Sequence, residues 1–211
     1  MKGYRLTRPL VVILAAGFSR RLGRPKALAR IGGVSLLERT LRLCAVCSAL
    51  PPLCILPPRA AGSGRQLRAL GARVAVNARR AQGLSSSVRL GLARGRYAPA
   101  ILWLPVDLAQ LESQDLIRMV RRWCGARRRV VARRLGDALP ARGGAPMILP
   151  KTWFGAAAAV RGDVGLRDLL AAAPTPLLRL VALPSAELDV DTAADLTRAR
   201  RRYARGCGRS R

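Results

Sequence analysis

The sequence contains no histidine. That removes imidazole as a general base and excludes every His-ligated metal site. Lysine is almost missing too: Lys2, Lys26 and Lys151 are the three, and every other cation is arginine. Only 11 acids face 39 basic residues, giving a formal charge of +28, so each acid carries unusual information. Aromatic residues are 4% of the chain, and the apolar mass is Ala, Leu and Val. No apolar run approaches the roughly 18 residues of a membrane span. The run Leu10–Ala16 is stopped by Gly17 and Arg20-Arg21, so neither a signal peptide nor a membrane partner is expected.

The five cysteines, Cys44, Cys47, Cys54, Cys124 and Cys207, form no regular framework. Cys44-Ala-Val-Cys47 has no second pair to complete a zinc site and sits in a helical pattern, not at a strand-to-helix turn. Buried, reduced thiols are expected, which suits a cytoplasmic protein.

Half of the 211 residues are hydrophobic, enough for one domain with a real core. The charge reads in two ways: nucleic-acid or anionic-membrane binding, or the arginine-rich surface of a GC-rich coding sequence. The arginines are scattered, with local clusters at 127–129, 133–134 and 198–205. That favours the second reading: no specific nucleic-acid partner, and a basic surface that attracts a small polyanion. Residues 1–8 and 206–211 read as basic ends around a single domain over 9–205.

Strand and helix patterns alternate along the chain. Pro9–Ala15 reads as a buried strand, short, continuous and β-branched. Val34–Ala49 reads as an amphipathic helix with Leu36, Leu37, Leu41 and Cys44 on one side. Its N-cap is Ser35, with Glu38 as the capping-box partner. Further strands are expected at Leu53–Leu56, Arg73–Val76, Ile101–Leu104, Arg129–Ala132, Pro146–Leu149 and Leu177–Leu183. Helices are expected at Gln66–Leu70, Ser86–Arg94, Gln114–Cys124, Asp163–Ala173 and Thr192–Arg205. The buried side of the Gln114–Cys124 helix is Leu116, Ile117, Val120 and Trp123. The alternation implies a three-layer α/β/α sandwich with a mainly parallel sheet, which binds ligands over the carboxyl ends of its strands.

The loop after the first strand, Leu14-Ala-Ala-Gly-Phe-Ser-Arg-Arg-Leu-Gly-Arg-Pro-Lys26, is where an anion would sit. Gly17 lets the backbone approach closely, and successive N–H groups can form a concave anion site. Arg21 and Lys26 add cations. Neither the Walker pattern nor G-x-G-x-x-G is present. Read alone, the loop fits a phosphate cradle or an ordinary turn equally well.

The same string resembles the L-A-A-G-x-S-x-R-x-G-x-x-K signature of nucleotidyltransferases of the molybdenum cofactor type, at all eight fixed positions. Five further segments look like that family, in its order. Asn77–Leu92 resembles N-x4-5-G-[ML]-S-S-S-[LV]-x2-G. Leu102-Trp-Leu-Pro-Val-Asp107 resembles the strand that delivers a metal-binding aspartate. Gly144–Pro150 and Arg161–Arg167 resemble G-x-P-[VM]-[LIF] and G-D-x-G-A-R. Glu187–Leu196 resembles D-[IV]-D-T-x-x-D-L. Departures are Ala109 for a usual Pro, Leu166 for a usual Ala, and Ala145 where His is frequent. The last lies near the expected acceptor, so the acceptor is less determined than the reaction.

The resemblance implies a Rossmann-like fold of the nucleotide-diphospho-sugar transferase type, with a mainly parallel mixed sheet. It implies Mg2+-dependent transfer of an NMP from an NTP to a phosphorylated acceptor, with pyrophosphate released. Leu14, Ala15, Ala16, Gly17, Ser85 and Ser86 would contact the nucleotide, with Arg21 and Lys26 neutralising phosphates. Ala16 stands where guanylyl-transferring relatives usually carry a second Gly, which favours CTP. A molybdopterin-type acceptor and a molybdenum hydroxylase apoenzyme are the implied partners. The alternatives are GTP, a sugar or alditol phosphate acceptor, or a non-catalytic maturation factor.

The chemistry suits a histidine-free site, because an acceptor phosphate oxygen is already a nucleophile and the obstacle is charge repulsion. Asp107, at a strand end, is the leading Mg2+ ligand, or else a helix cap. Asp189 and Asp191, two apart on an extended segment, point the same way, and one or both would complete the metal site. Alternatively Asp191 or Thr192 only caps the last helix. Ser85, Ser86 and Ser87 either present a helix N-terminus to an anion or simply cap it. Asp163 and Arg167 either bind acceptor or pair locally.

Overall fold

The computed structural model describes residues 8–45, 47, 50–60, 62–136, 142–163 and 166–207. Most of the two basic ends, and the tail of the expected Val34–Ala49 helix, therefore lie outside the described residues. Among the described residues, nine strands and seven α-helices follow in order: β1 (Leu10–Leu14), β2 (Arg30–Ile31), β3 (Val34–Ser35), α1 (Leu36–Cys44), β4 (Leu53–Leu56), α2 (Ser63–Ala69), β5 (Arg73–Val76), α3 (Leu84–Arg94), β6 (Ala100–Pro105), α4 (Ser113–Cys124), β7 (Val130–Leu135), β8 (Arg142–Pro150), α5 (Phe154–Ala159), α6 (Arg167–Ala171), β9 (Leu178–Val181) and α7 (Ala193–Cys207).

Seven strands form one sheet in the order β5-β4-β1-β6-β8-β7-β9. β8 runs antiparallel to both β6 and β7, and the other pairings are parallel. The chain moves outward from β1 to β4 and β5, then returns to place β6 on the other flank of β1. Such a reversal leaves a crevice at the carboxyl ends of β1 and β6.

Alternation within the strands makes two cores. Val11 and Ile13 of β1, with Leu102 and Leu104 of β6, face α1, α4 and α7; Leu10 and Val12, with Ile101 and Trp103, face α3, α5 and α6. A side-chain period of two on a sheet buried on both faces requires this division. The three-layer mixed sandwich is as expected from the sequence.

Several boundaries differ from the sequence reading. Val34 and Ser35 are a strand paired with β2, so α1 starts at Leu36. Ser35 caps it as expected, accepting from the Glu38 N–H, but the Glu38 carboxylate turns outward to Arg42. On α4 the buried position is Met119, and Ile117 is only partly covered. The short extended piece at Pro146–Leu149 is a nine-residue strand. The expected Asp163–Ala173 helix spans only Arg167–Ala171, and Asp163 lies in a turn before it. Helix α5 was not foreseen: its Ala run carries no polar face to set a period.

Cys44, Cys47 and Cys54 are buried thiols. Burial raises all three pKa values, Cys47 and Cys54 to about 12, so they stay protonated and inert. Cys124 is exposed. No helix among the described residues is long and apolar enough to cross a membrane.

Candidate active site

The loop after β1 is closed by its own backbone. Ser19 sits in the left-handed region at φ 54, and its carbonyl accepts from the N–H groups of Leu22 and Gly23. Its hydroxyl accepts from the Lys26 N–H at 3.0 Å. Leu22 is buried and anchors the loop to the core. A non-glycine residue at positive φ is strain, held here by those bonds.

Within this loop the first residues differ in use. The Ala15 N–H is taken by the Ile55 carbonyl at 3.0 Å, so it extends the sheet. A Cβ at Gly17 would meet no atom within 4 Å. Packing therefore does not demand glycine there; its value is open backbone facing outward.

Lys26 and Arg21 leave the loop toward the carboxylates. Lys26 Nζ donates to Asp107 Oδ2 at 3.0 Å and also to Asp191 Oδ1. Arg21 donates to the other oxygen of Asp191 at 2.5 Å. The Lys26 side chain is 17% exposed. Burial alone would lower its pKa, but Asp107 and Asp191 outweigh it and hold the ammonium above its usual range.

Asp107 follows β6, and the Asp189–Asp191 segment is fixed beside it by backbone pairing. Leu108 and Asp189 form an antiparallel bridge, and the Val190 N–H donates to the Asp107 carbonyl at 2.9 Å. Asp191 is then oriented from behind. Its N–H donates to Asp195, which also accepts from the Thr192 N–H and hydroxyl, while the Asp195 N–H donates back to Thr192 Oγ1. This is a reciprocal capping box for α7. Thr192 and Asp195 do the capping, and the Asp191 carboxylate goes to Lys26 and Arg21. Asp195 was not among the expected site residues; its spacing after Thr192 carried the signal.

Asp107 and Asp189 both line a cavity of about 310 Å3, with Arg133, Arg167, Ala145 and Leu166 on its wall. Partial burial pushes the Asp189 carboxyl above its usual range, the Asp107 carboxylate adds to this, and Arg133 opposes it. Two such oxygen donors match a hard divalent cation like Mg2+. Among the described residues, no cluster of three or more Cys, Asp or Glu side chains suits a metal. One or two carboxylates completed by substrate phosphate and water is the usual Mg2+ arrangement. Two of the three sequence departures, Ala145 and Leu166, fall on this wall.

Arg133 was seen in the sequence only as part of a charge cluster. It is 9% exposed and donates to Asp189 Oδ1 at 3.4 Å. Nothing in the sequence separates it from the exposed Arg134 beside it except strand alternation.

The serines of α3 are turned inward. Ser86 and Ser87 hydroxyls accept from Asn77 Nδ2 at 2.8 and 2.9 Å, and those of Ser85 and Ser86 donate to the Gln82 and Gly83 carbonyls. All three serines are buried. Asp163 accepts from the Leu84 N–H at 3.1 Å and so caps the start of α3 from another loop. No Asp163–Arg167 pair occurs among the described residues; Arg167 instead reaches the cavity.

Comparison with known proteins places this geometry. The MobA-like NTP transferase domain family matches residues 11–177. Rv0371c from Mycobacterium tuberculosis H37Rv is similar over 92% of this chain and 98% of its own, at 30% identity and TM-score 0.76. Its complex with manganese is similar at 28% identity and TM-score 0.73, over 92% and 99%. Molybdopterin-guanine dinucleotide biosynthesis protein A from Archaeoglobus fulgidus shares the fold at 15% identity and TM-score 0.64, over 92% and 98%. No curated protein matches by sequence.

Proposed function

The chain belongs to the MobA-like NTP transferase family and is a nucleotidyltransferase; from that premise we propose that it transfers CMP from CTP to a molybdopterin-type phosphate in the cytoplasm, using Mg2+. The observation that carries this reading is Lys26. One ammonium joins the loop after β1 to Asp107 and Asp191, so nucleotide loop and carboxylates form one unit.

In this reading the β1 loop receives the triphosphate, with the Ala16 and Gly17 backbone beside it. Arg21 and Lys26 lie where charge builds on the β- and γ-phosphates. The acceptor phosphate oxygen attacks the α-phosphorus. The bond from the α-phosphorus to the oxygen bridging to the β-phosphate breaks, and pyrophosphate leaves with that electron pair. No proton transfer from a side chain is needed. Asp107 and Asp189 would hold Mg2+, which lowers the repulsion between the two phosphates. The manganese complex of Rv0371c supports a divalent metal here.

Two features support CTP and the acceptor. Ala16 is 4% exposed, so its methyl is packed where guanylyl-transferring relatives usually have glycine. The cavity beside Asp107 also has apolar walls, with Leu14, Val88, Trp103 and Met147, suited to a ring system bearing a phosphate. A molybdenum hydroxylase apoenzyme is the expected recipient of the product.

The test is product identity. Protein incubated with CTP, Mg2+ and molybdopterin-type cofactor should yield a cytosine dinucleotide by mass spectrometry. A CDP-alditol or CDP-sugar formed only with an alditol or sugar phosphate would move the acceptor assignment.

A further inference from the structure

We propose that Arg133 and Arg167 form an anion subsite that takes the acceptor's phosphate as a monoester dianion. This rests on the nucleotidyltransferase reading above and deepens it.

The first observation is burial without satisfaction. Arg133 is 9% exposed, yet the one hydrogen bond its guanidinium makes among the described residues is the 3.4 Å contact to Asp189. A guanidinium has five N–H donors and is almost never buried without partners. Among the described residues, the buried side-chain nitrogens sealed from any partner are those of Trp103 and Trp123, not of Arg133. The remaining donors of Arg133 therefore open onto the cavity that it lines.

The second observation is charge. Among the described residues, four charged side chains line this cavity: Asp107, Asp189, Arg133 and Arg167. With both carboxylates ionised they cancel. A divalent cation held by the carboxylates leaves a surplus of two positive charges. A phosphate monoester dianion matches that surplus; a carboxylate or a phosphodiester, each a monoanion, does not. Planar guanidinium forks also fit phosphate oxygens in pairs.

The third is position. β7 carries Arg133 inward beside Asp189, and α6 starts at Arg167. Arg167 also lines a neighbouring cavity of about 900 Å3, together with Leu170, Leu178 and Leu180. The acceptor body thus has room beyond its phosphate.

The experiment is calorimetric titration with inorganic phosphate, in the presence of Mg2+ and in moderate salt that screens the basic surface. Wild type is compared with Arg133→Met, Arg133→Lys, Arg167→Met and the exposed, remote Arg122→Met. Each Met variant in the cavity should bind phosphate at least about tenfold more weakly, the loss of one charge-assisted hydrogen bond. Arg133→Lys should retain part of the binding, and Arg122→Met all of it. In turnover, Arg133→Met and Arg167→Met should raise the acceptor KM and leave the CTP KM unchanged. Wild-type phosphate affinity in Arg167→Met and in folded Arg133→Met or Arg133→Lys would overturn the subsite. So would an equal loss in Arg122→Met, which would mark general attraction to a polycation. Absent turnover with every NTP would defeat the functional reading, while the titration would still judge the subsite.

Discussion

Lys26 and Asp107 lie 81 positions apart and meet with Nζ 3.0 Å from Oδ2. The same ammonium binds Asp191, so one side chain fastens three separate segments. Electrostatic groups fixed in advance at developing charge commonly contribute roughly 10²–10³ in rate. Lys26→Gln should therefore lower kcat by about 10²–10³, measured by pyrophosphate release, with a wild-type circular dichroism spectrum. Unchanged kcat would remove Lys26 from the chemistry.

Asp107→Asn should abolish metal-stimulated turnover and keep the fold, since Asp107 is partly exposed and, among the described residues, its side chain bonds only Lys26. Asp189→Asn should weaken metal binding less severely, because its side chain is 54% exposed and shared with Arg133. Titration with Mn2+ followed by electron paramagnetic resonance separates the two. Equal Mn2+ affinity in all three proteins would count against both ligands.

Ala16→Gly should shift preference from CTP toward GTP. The buried methyl is removed at the start of the nucleotide loop, next to Gly17. The ratio of kcat/KM for the two nucleotides reads this directly. An unchanged ratio would show that base selection lies elsewhere.

Asp195 holds the start of α7, and its pKa is lowered mainly by the Thr192 hydroxyl and N–H. A native carboxyl below its unfolded value stabilises the fold above the unfolded pKa. That stabilisation is lost as pH falls through the native pKa. Asp195→Ala should lower Tm at pH 7 and flatten the acid decline of Tm below pH 4. Parallel Tm profiles for the two proteins would contradict the capping role.

A Cβ on Gly91 would stand 2.7 Å from the buried Trp103 ring and 3.2 Å from Val12. Gly91→Ala should destabilise by about 1–3 kcal/mol, the usual effect of overfilling a packed core. Urea unfolding measures it. A stabilised variant would mean that the helix propensity gained outweighs the clash.

The sequence pattern was legible where burial and punctuation are strong. β1 is a continuous apolar run between Pro9 and Gly17, and the run of β6 leads directly to Asp107, so both walls of the crevice are legible in the pattern. Asp191, Arg21 and Lys26 stood in motifs, and the fold brings those three side chains together. The remainder depended on distance. Arg133 looks like any other arginine until β7 turns it inward. The spacing of Asp163 and Arg167 fits acceptor binding or a local ion pair equally, and a tertiary contact carries Asp163 to the Leu84 N–H. The serines of α3 suit either anion binding or simple capping, and in the fold two of their hydroxyls accept from the Asn77 amide on a separate segment. Val34 and Ser35 suit a helix as well as the small hairpin with β2, so the pattern alone does not separate the hairpin from the start of α1.

The most direct measurement is pyrophosphate release from folded protein with Mg2+, molybdopterin-type cofactor and each of CTP, GTP, ATP and UTP in turn. Release with CTP, dependent on both acceptor and metal, is the expected result. No release with any of the four would contradict the account.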